Sequence, residues 1–319
     1  MVSDAGVSDA GVGGTGTGRP VTVVVVAYGD PDDLGVCLGA LEGRYPAIVV
    51  DNASSPATRA VAEGAGATYV DPGDNLGFAA AVNRALARCD LRRGDVLLLN
   101  PDAVVAPATV AHLAGALDDG PTVACAAPAQ HRPGTTAPAT VCWPFPTPGG
   151  AWAEAVGLGR FLGDAGYVIA SVLALRGEAL LDVGGFDEGF FLYAEEADWE
   201  RRATRRGWTV AYRPEVEATH RGAATDADPE RRRVRFHAGV ETYVRKWHGA
   251  AGWRSYQAAT VLTALRRALL SRSAAQRRAS LRLARLYAAG PRAVAARAGF
   301  VPARPHHVPD LGSAGGEGL

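Results

Sequence analysis

From Val21 to Tyr28 the chain reads VTVVVVAY, and a continuous apolar run of this kind predicts a strand buried on both faces. Asp30-Pro31 then supplies an N-cap and an N1 proline for a helix through Leu41. The alternation continues with strand AIVVD ending at Asp51, a helix over Thr58 to Glu63 and a short strand ATYVD. Asn75 opens a helix to about Arg88, DVLLLN (Asp95 to Asn100) is the next buried strand, and Pro107 starts a helix ending near Asp119-Gly120. TVACAAP is strand-like. Strands and helices alternating at this spacing predict an α/β fold with a mainly parallel, doubly wound sheet. Such sheets bind ligands beyond the carboxyl ends of their strands, where Asp51 and Asp102 fall.

The pattern changes further along. Residues 128–150 are rich in Pro, Thr and Gly and predict a long surface loop, of a length more often functional than inert. YVIASVLALRGEALLDVGGF reads as a strand, a short helix and a glycine C-cap. After His220 the periodicity is helical, over roughly 229–248, 253–271 and 274–289. Residues 1–19 repeat VSDAG and then run through Gly and Thr, too little apolar surface to fold, so they predict a disordered lead-in or a mis-set start codon. The expected division is a lead-in over 1–19, a catalytic domain over 20–228, a basic helical extension over 229–300 and a disordered tail over 301–319.

The formal net charge is zero, but it is unevenly spread. Residues 231–298 hold sixteen Arg or Lys against one acid, Glu241, which leaves the remainder with a net charge of −15. That distribution predicts an acidic body and a basic extension that meets something anionic. Arg266, Arg267, Arg277, Arg278, Arg282 and Arg285 interleave with Leu and Ala, as in a helix lying on an anionic bilayer or as in an ordinary solvated face. The four cysteines lack CxxC spacing and read as free thiols in a reducing compartment. No apolar run is long enough to span a bilayer, and the first residues lack a signal pattern, so a cytoplasmic location is expected, with peripheral contact to the inner membrane face. No GxGxxG follows the first strand, which argues against a nicotinamide oxidoreductase. The acidic body and the lack of an aromatic-basic motif argue against nucleic acid as a partner.

Candidate chemistry gathers at the strand ends and in one acidic block. Asp51 and Asn52 precede Ser54-Ser55, where a carboxylate can accept the N–H of a pyrimidine or simply shape the turn. Asn75-Leu76-Gly77-Phe78 opens a helix that can face phosphate or ribose, or is only an Asn cap, with Asn83 as a buried polar contact. Asp102 is a hard oxygen ligand at a rigid strand end, or an Asx-turn. In GFDEGFFLYAEEADWERR, Asp198 with Arg202 suits an i,i+4 helix pair, whereas adjacent Glu195 and Glu196 behind FFLY suit a general base of raised pKa. His220 closes EVEATH as a capping residue or a metal ligand. Trp143-Pro144-Phe145-Pro146 and Trp152 can line a sugar cleft or pack a loop.

Taken in order, VAYGDPDDLGVCLGAL, VVDNASS, NLGFAAAVNRAL, LLLNPDAVV, GGFDEGFFLYAEEADWERRATRRGW and YRPEVEATH resemble the family 2 glycosyltransferases, in particular the rhamnosyltransferase-like branch. The resemblance implies a GT-A fold and an inverting transfer of a sugar, rhamnose favoured, from a nucleotide-diphosphate donor to a glycan or polyprenyl-linked acceptor. It implies Glu196 as base, in the slot where the family usually carries the aspartate of ED-x-D. Asp51 would read the nucleotide base. Asp102 is the surviving aspartate of a DxD motif whose first position is Asn100, and with His220 it would hold Mg²⁺ or Mn²⁺. Asn52, Asn75, Gly77, Asn83, Glu195, Asp198 and Arg202 complete the substrate-facing set. A non-catalytic nucleotide-sugar scaffold or sensor is the alternative.

Overall fold

The computed structural model of the chain describes residues 18–135, 137–159, 166–222, 228–300 and 305–312; most of the expected lead-in, residues 1–17, lies outside them. Strand β1 (Val21–Ala27) pairs in parallel with β2 (Ala47–Asp51) and β4 (Asp95–Leu99), and β3 (Thr68–Val70) extends β2. Beyond β4 the sheet turns mixed. Strand β10 (Val172–Leu175) is antiparallel to both β4 and β6 (Val123–His131), and β11 (Thr209–His220) runs parallel to β6 and antiparallel to β5 (Ala103–Val104). The order across the sheet is β3-β2-β1-β4-β10-β6-β11-β5, so the mainly parallel expectation holds for the first four strands. The remainder departs from it because β10 follows directly on a short strand, β9 (Gly166–Val168), with no helical crossover to bring it in parallel.

Alternation along the strands divides the core. Val24, Val26, Val50 and Leu98 pack under α3 (Gly77–Leu86), α6 (Gly177–Val183) and α7 (Glu195–Arg205). Val23, Val25, Val49, Leu97 and Leu99 face α1 (Pro31–Gly39), α2 (Pro56–Gly64) and α4 (Pro107–Leu117). Each fully buried Val or Leu of this kind contributes about 1.5–3 kcal/mol relative to its exposed state.

The expected loop over 128–150 is partly built. Pro128 to His131 finish β6, β7 (Pro138–Ala139) pairs with them, β8 (Cys142–Pro144) forms a small second sheet with β9, and α5 (Pro148–Ala155) follows a Thr147 cap. Prolines erase the periodic signal yet remain compatible with short edge strands. A register shift between Arg213 and Glu217, around Pro214, carries β11 on to place His220 opposite Ala103.

The helical extension consists of α8 (Pro229–Leu270), α9 (Ala274–Ala289) and α10 (Pro291–Arg297). Within α8, Gly249 has φ 66° and breaks the helix into two segments, as the separate periodic runs predict. Tyr167, Phe190 and Ala197 join Tyr243, Trp253 and Tyr287 in one cluster, which welds the extension to the sheet domain.

Of the tail expected to be disordered over 301–319, residues 305–312 form a strap, and the rest lies outside the described residues. Buried Asp187 accepts hydrogen bonds from the His307 and Gly189 amides at 2.9 Å, sits 2.7 Å from His306 Nδ1 and pairs with Lys246 Nζ at 2.6 Å. Glu188 N donates to His307 O and Gly185 N to Pro309 O, while Leu311 enters the main core. Low apolar content hid the strap because a carboxylate, and not a hydrophobic face, holds most of it. Replacing Asp187 by Ala strands Lys246 beside a single remaining acid and releases the strap. Urea unfolding should show a loss of about 3–5 kcal/mol, the usual cost of breaking a buried ion pair.

Candidate active site

The acidic block is positioned by the turn before it. Asn83 of α3 grips that turn through both backbone groups of Phe186, donating from Nδ2 to O (2.8 Å) and accepting from N (2.8 Å). Phe78 N donates to Phe191 O at 2.7 Å, an approach that Gly77 permits: with φ 73°, a Cβ there would lie 2.4 Å from the same oxygen. On the other side Gly239 of α8 lets Tyr193 O come equally close to its backbone. Squeezed between α3 and α8, Tyr193 and Ala194 both take left-handed backbone, φ 73° and 71°. Each such residue costs about 1–2 kcal/mol. That double turn presents Glu195 and Glu196 to a cavity as they open α7.

The cavity measures about 280 Å³. Its floor is the carboxyl end of the sheet, with Val26, Asn52, Asn100 and His220, and the start of α3 adds Asn75, Gly77 and Phe78. Its walls are mainly apolar: Tyr28, Trp143, Tyr167, Ile169, Phe191 and Phe236. Among the described lining residues Arg235 is the only permanent cation, and its guanidinium also stacks over Phe191 and donates to Phe300 O.

Burial controls the carboxylates. Glu196 is pushed up to about 7 by desolvation, despite compensating backbone hydrogen bonds. Desolvation, and after it the charge of Glu196, raises Glu195 well above the usual range. Glu200, one helical turn on, is fully buried and likewise raised by desolvation, although its Oε2 accepts from Val168 N at 3.0 Å. Glu195 Oε2, Glu196 Oε2 and Glu200 Oε1 have no hydrogen-bond partner among the described residues. Nearby Lys246 is engaged elsewhere, by Asp187 and by Asp198 at 2.7 Å. A half-neutral carboxylate at a cavity wall is equipped to take a proton.

At the opposite wall His220 Nε2 lies 3.2 Å from Asp102 Oδ1 and 3.4 Å from Asn100 Nδ2. The buried carboxylate and the imidazole converge, and together they make a two-member oxygen and nitrogen set. Among the described residues no group of three His, Cys, Asp or Glu forms a complete metal shell. The pair fits a hard divalent cation that takes its other ligands from phosphate and water.

The expected residues thus separate into two sets. Glu195, Glu196, Asn52, Asn75, Gly77 and His220 line one cavity, with Asp102 directly behind His220. Four others have their capacity used inside the fold. Asp51 is fully buried, and its oxygens accept from Ala53 N, Ser55 N and Tyr69 Oη, which makes it a turn anchor. Asn83 staples Phe186. Asp198 accepts from Trp247 Nε1 and Arg202 Nε, and Arg202 spends its other nitrogens on Val183 O and Gly185 O. The amides opening α3 are spent as well: Leu76 N on Asn52, Gly77 N on Asn75 and Phe78 N on Phe191. The cap reading of NLGF therefore describes this helix, and not the phosphate-facing one. Trp152 leaves the cavity and donates to Ser255 Oγ. Sequence reasoning missed Arg235, Tyr167, Ser171 and Glu200; only the basic run through 231–235 hinted at the first.

The family model for glycosyl transferase family 2 matches residues 22–145. Over those residues the chain is similar to this family. N-acetylglucosaminyl-diphospho-decaprenol L-rhamnosyltransferase of Mycobacterium tuberculosis is 29% identical over 296 residues, 82% of this chain and 94% of that protein. Glucosyl-3-phosphoglycerate synthase from Mycobacterium tuberculosis, solved with Mn²⁺ and UDP-glucose, superposes with a TM-score of 0.51 at 17% identity, covering 72% of this chain and 79% of that one. The same enzyme with Mg²⁺ and UDP gives a TM-score of 0.50 at 18% identity, over 71% and 77% of the two chains. The fold is the GT-A fold with C-terminal helices, and these similarities support a glycosyltransferase that uses a nucleotide-sugar donor.

The raised pKa of Glu200 carries a stability consequence. An unfolded Glu ionises near pH 4.3, so above that pH the folded protein holds a proton that the unfolded chain has released. Stability linked to this group is full below that pH and declines as pH rises toward the folded value. Glu200→Gln keeps an acceptor for Val168 N and removes the ionisation. Thermal melts should show near-parity with the parent at pH 5 and a more stable variant at pH 8; equal or lower stability at pH 8 would count against a buried neutral Glu200.

Proposed function

We propose that this glycosyltransferase moves a rhamnose-like sugar, with inversion, from a nucleotide diphosphate to a hydroxyl of a polyprenyl-linked glycan, with Glu196 as general base. The observation that carries the reading is Glu196 itself: a carboxylate on the cavity wall, raised to about 7, with an oxygen unclaimed by the protein. The acceptor hydroxyl gives its proton to Glu196 as its oxygen bonds to the anomeric carbon. The bond from that carbon to the diphosphate breaks on the opposite face, and its electron pair leaves with the diphosphate. No covalent enzyme intermediate is required.

The residues present support the parts of this reading unequally. Asn52 and the wall around it sit where the nucleotide would rest, with Asp51 holding the turn from beneath. Arg235 offers charge to the diphosphate. Asp102 and His220 would hold Mg²⁺ or Mn²⁺, which when bound neutralises charge on the leaving diphosphate. The aromatic and aliphatic walls suit a sugar bearing a methyl group where most hexoses carry a hydroxymethyl. The mycobacterial relative's rhamnosyl transfer to a decaprenol-linked acceptor supports the sugar and the acceptor class. A polyprenyl-linked acceptor in turn favours peripheral attachment to a membrane; no helix among the described residues is long and apolar enough to cross one.

Two experiments test the reading. Glu196→Gln should lower transfer by about 10²–10⁴-fold while nucleotide binding stays nearly intact, and loss of both together would remove Glu196 from the role. Because the base must be ionised, kcat/KM in the parent should climb with pH and level off above about 7. Separately, a thermal-shift screen of nucleotide-diphosphate sugars with and without Mn²⁺ should give a metal-dependent rise with one donor. Asp102→Ala should abolish the metal dependence, and an unchanged response would exclude the Asp102–His220 pair.

A further inference from the structure

The second segment of α8 carries leucines that nothing in the described structure covers. One side of it buries Trp253, Ala259, Thr263, Ala264 and Ala268. On another side Leu262, Leu265 and Leu269 recur at i, i+3 and i+7 and are 45%, 47% and 84% exposed, and Leu270 beside them is 69% exposed. Isolated exposed leucines are ordinary, whereas a stripe at helical spacing signals a partner. The end of α5, which also exposes Val156, is fastened to this helix by Arg266 Nη2 donating to Glu154 O at 3.0 Å.

The charge around the stripe is mainly positive, with Glu154, paired to Arg267 at 3.0 Å, as the acid beside it. Between Thr242 and Pro309 the chain contains thirteen Arg or Lys and no Asp or Glu. Arg272 follows Leu270, and Arg277, Arg278, Arg282 and Arg285 are exposed along α9 immediately after the turn. Arg277 Nη2 also donates to Ser271 O at 3.2 Å, which fixes the turn that joins the leucines to these arginines.

We propose that this end of the helical extension docks on an anionic phospholipid bilayer, with the leucines entering the acyl boundary and the arginines meeting the headgroups. The inference rests on the proposed polyprenyl-linked acceptor, which lies in such a bilayer. A second copy of the chain is the poorer occupant. A two-fold contact would set the same arginines against one another, and Glu154, the acid beside them, is already paired with Arg267.

The test uses the full chain and vesicles that contain neither donor nor acceptor. Sedimentation with phosphatidylcholine vesicles and with vesicles containing about one-third phosphatidylglycerol should show binding to the anionic set only, lost as salt is raised toward about 0.5 M. Combining Leu265→Glu with Leu269→Glu should cut partitioning at least about tenfold, and each of Arg278→Ser, Arg282→Ser and Arg285→Ser by roughly fivefold. Overturning results are no binding at low salt, equal binding to both vesicle types, or variants that bind like the parent. A dimer that the double leucine variant dissociates, without vesicle binding, would also overturn it in favour of self-association. Transfer to a water-soluble short-chain acceptor should be unchanged in these variants. Vesicle binding by a parent that transfers to no acceptor would sink the proposed function and leave the docking surface standing.

Discussion

Lys246 is the only lysine in the chain, and its ammonium group bridges Asp187 and Asp198, both fully buried. Asp187 belongs to the turn ahead of the glutamates and Asp198 to the helix they open, while Lys246 comes from α8. One compact cation with rotatable donors therefore sets the distance between the helical extension and the segment that carries Glu195 and Glu196. An arginine, with its planar fork, would not reproduce a bridge between two carboxylates approached from different directions. The rings of Phe190 and Trp247 lie against the ammonium group, with centroids 5.7 and 6.0 Å from Nζ.

The same region carries the least favourable groups in the described structure. Two consecutive left-handed residues precede buried Glu195, half-buried Glu196 and buried Glu200, each with one oxygen lacking a hydrogen-bond partner among the described residues. Nothing in that arrangement serves folding; it persists because α3, α8 and the strap determine it from three sides. A carboxyl group with a pKa near neutrality needs such desolvation, and the surrounding apolar contacts offset its cost.

Much of the fold was legible because it rests on local signals. The apolar runs of β1, β2 and β4 and the Asp30-Pro31 helix start can each be read from a few residues. Glu195 and Glu196 stood out because acidic pairs rarely follow a stretch such as FFLY. Other features depended on long-range geometry. Asp51, Asn83, Asp198 and Arg202 have side chains suited to a ligand, and only the fold shows that their donors and acceptors are taken. Glu200 sits in ERRATRR, which reads as a solvent face, yet its Oε2 meets a strand amide brought from residue 168. The cavity walls come from at least four separate segments, and no window of sequence contains them together. The strap escaped notice because its anchor is a single acid more than a hundred residues upstream.

Lys246 and the 305–312 strap also impose an order of events during synthesis. Domains tend to fold as they emerge, amino-terminal part first. The parallel pairing among β1 to β4 can form early, since it is complete by residue 99. The segment from Gly185 to Glu200 cannot take its final form until Lys246, and later His306 and His307, have left the ribosome. Until then Asp187 and Asp198 are ionised acids without their cation, close to a site of the same sign. A nascent chain therefore passes through a stage with its first strands paired and the turn into Glu195 and Glu196 unformed. Activity arrives late, as a property of the finished polypeptide.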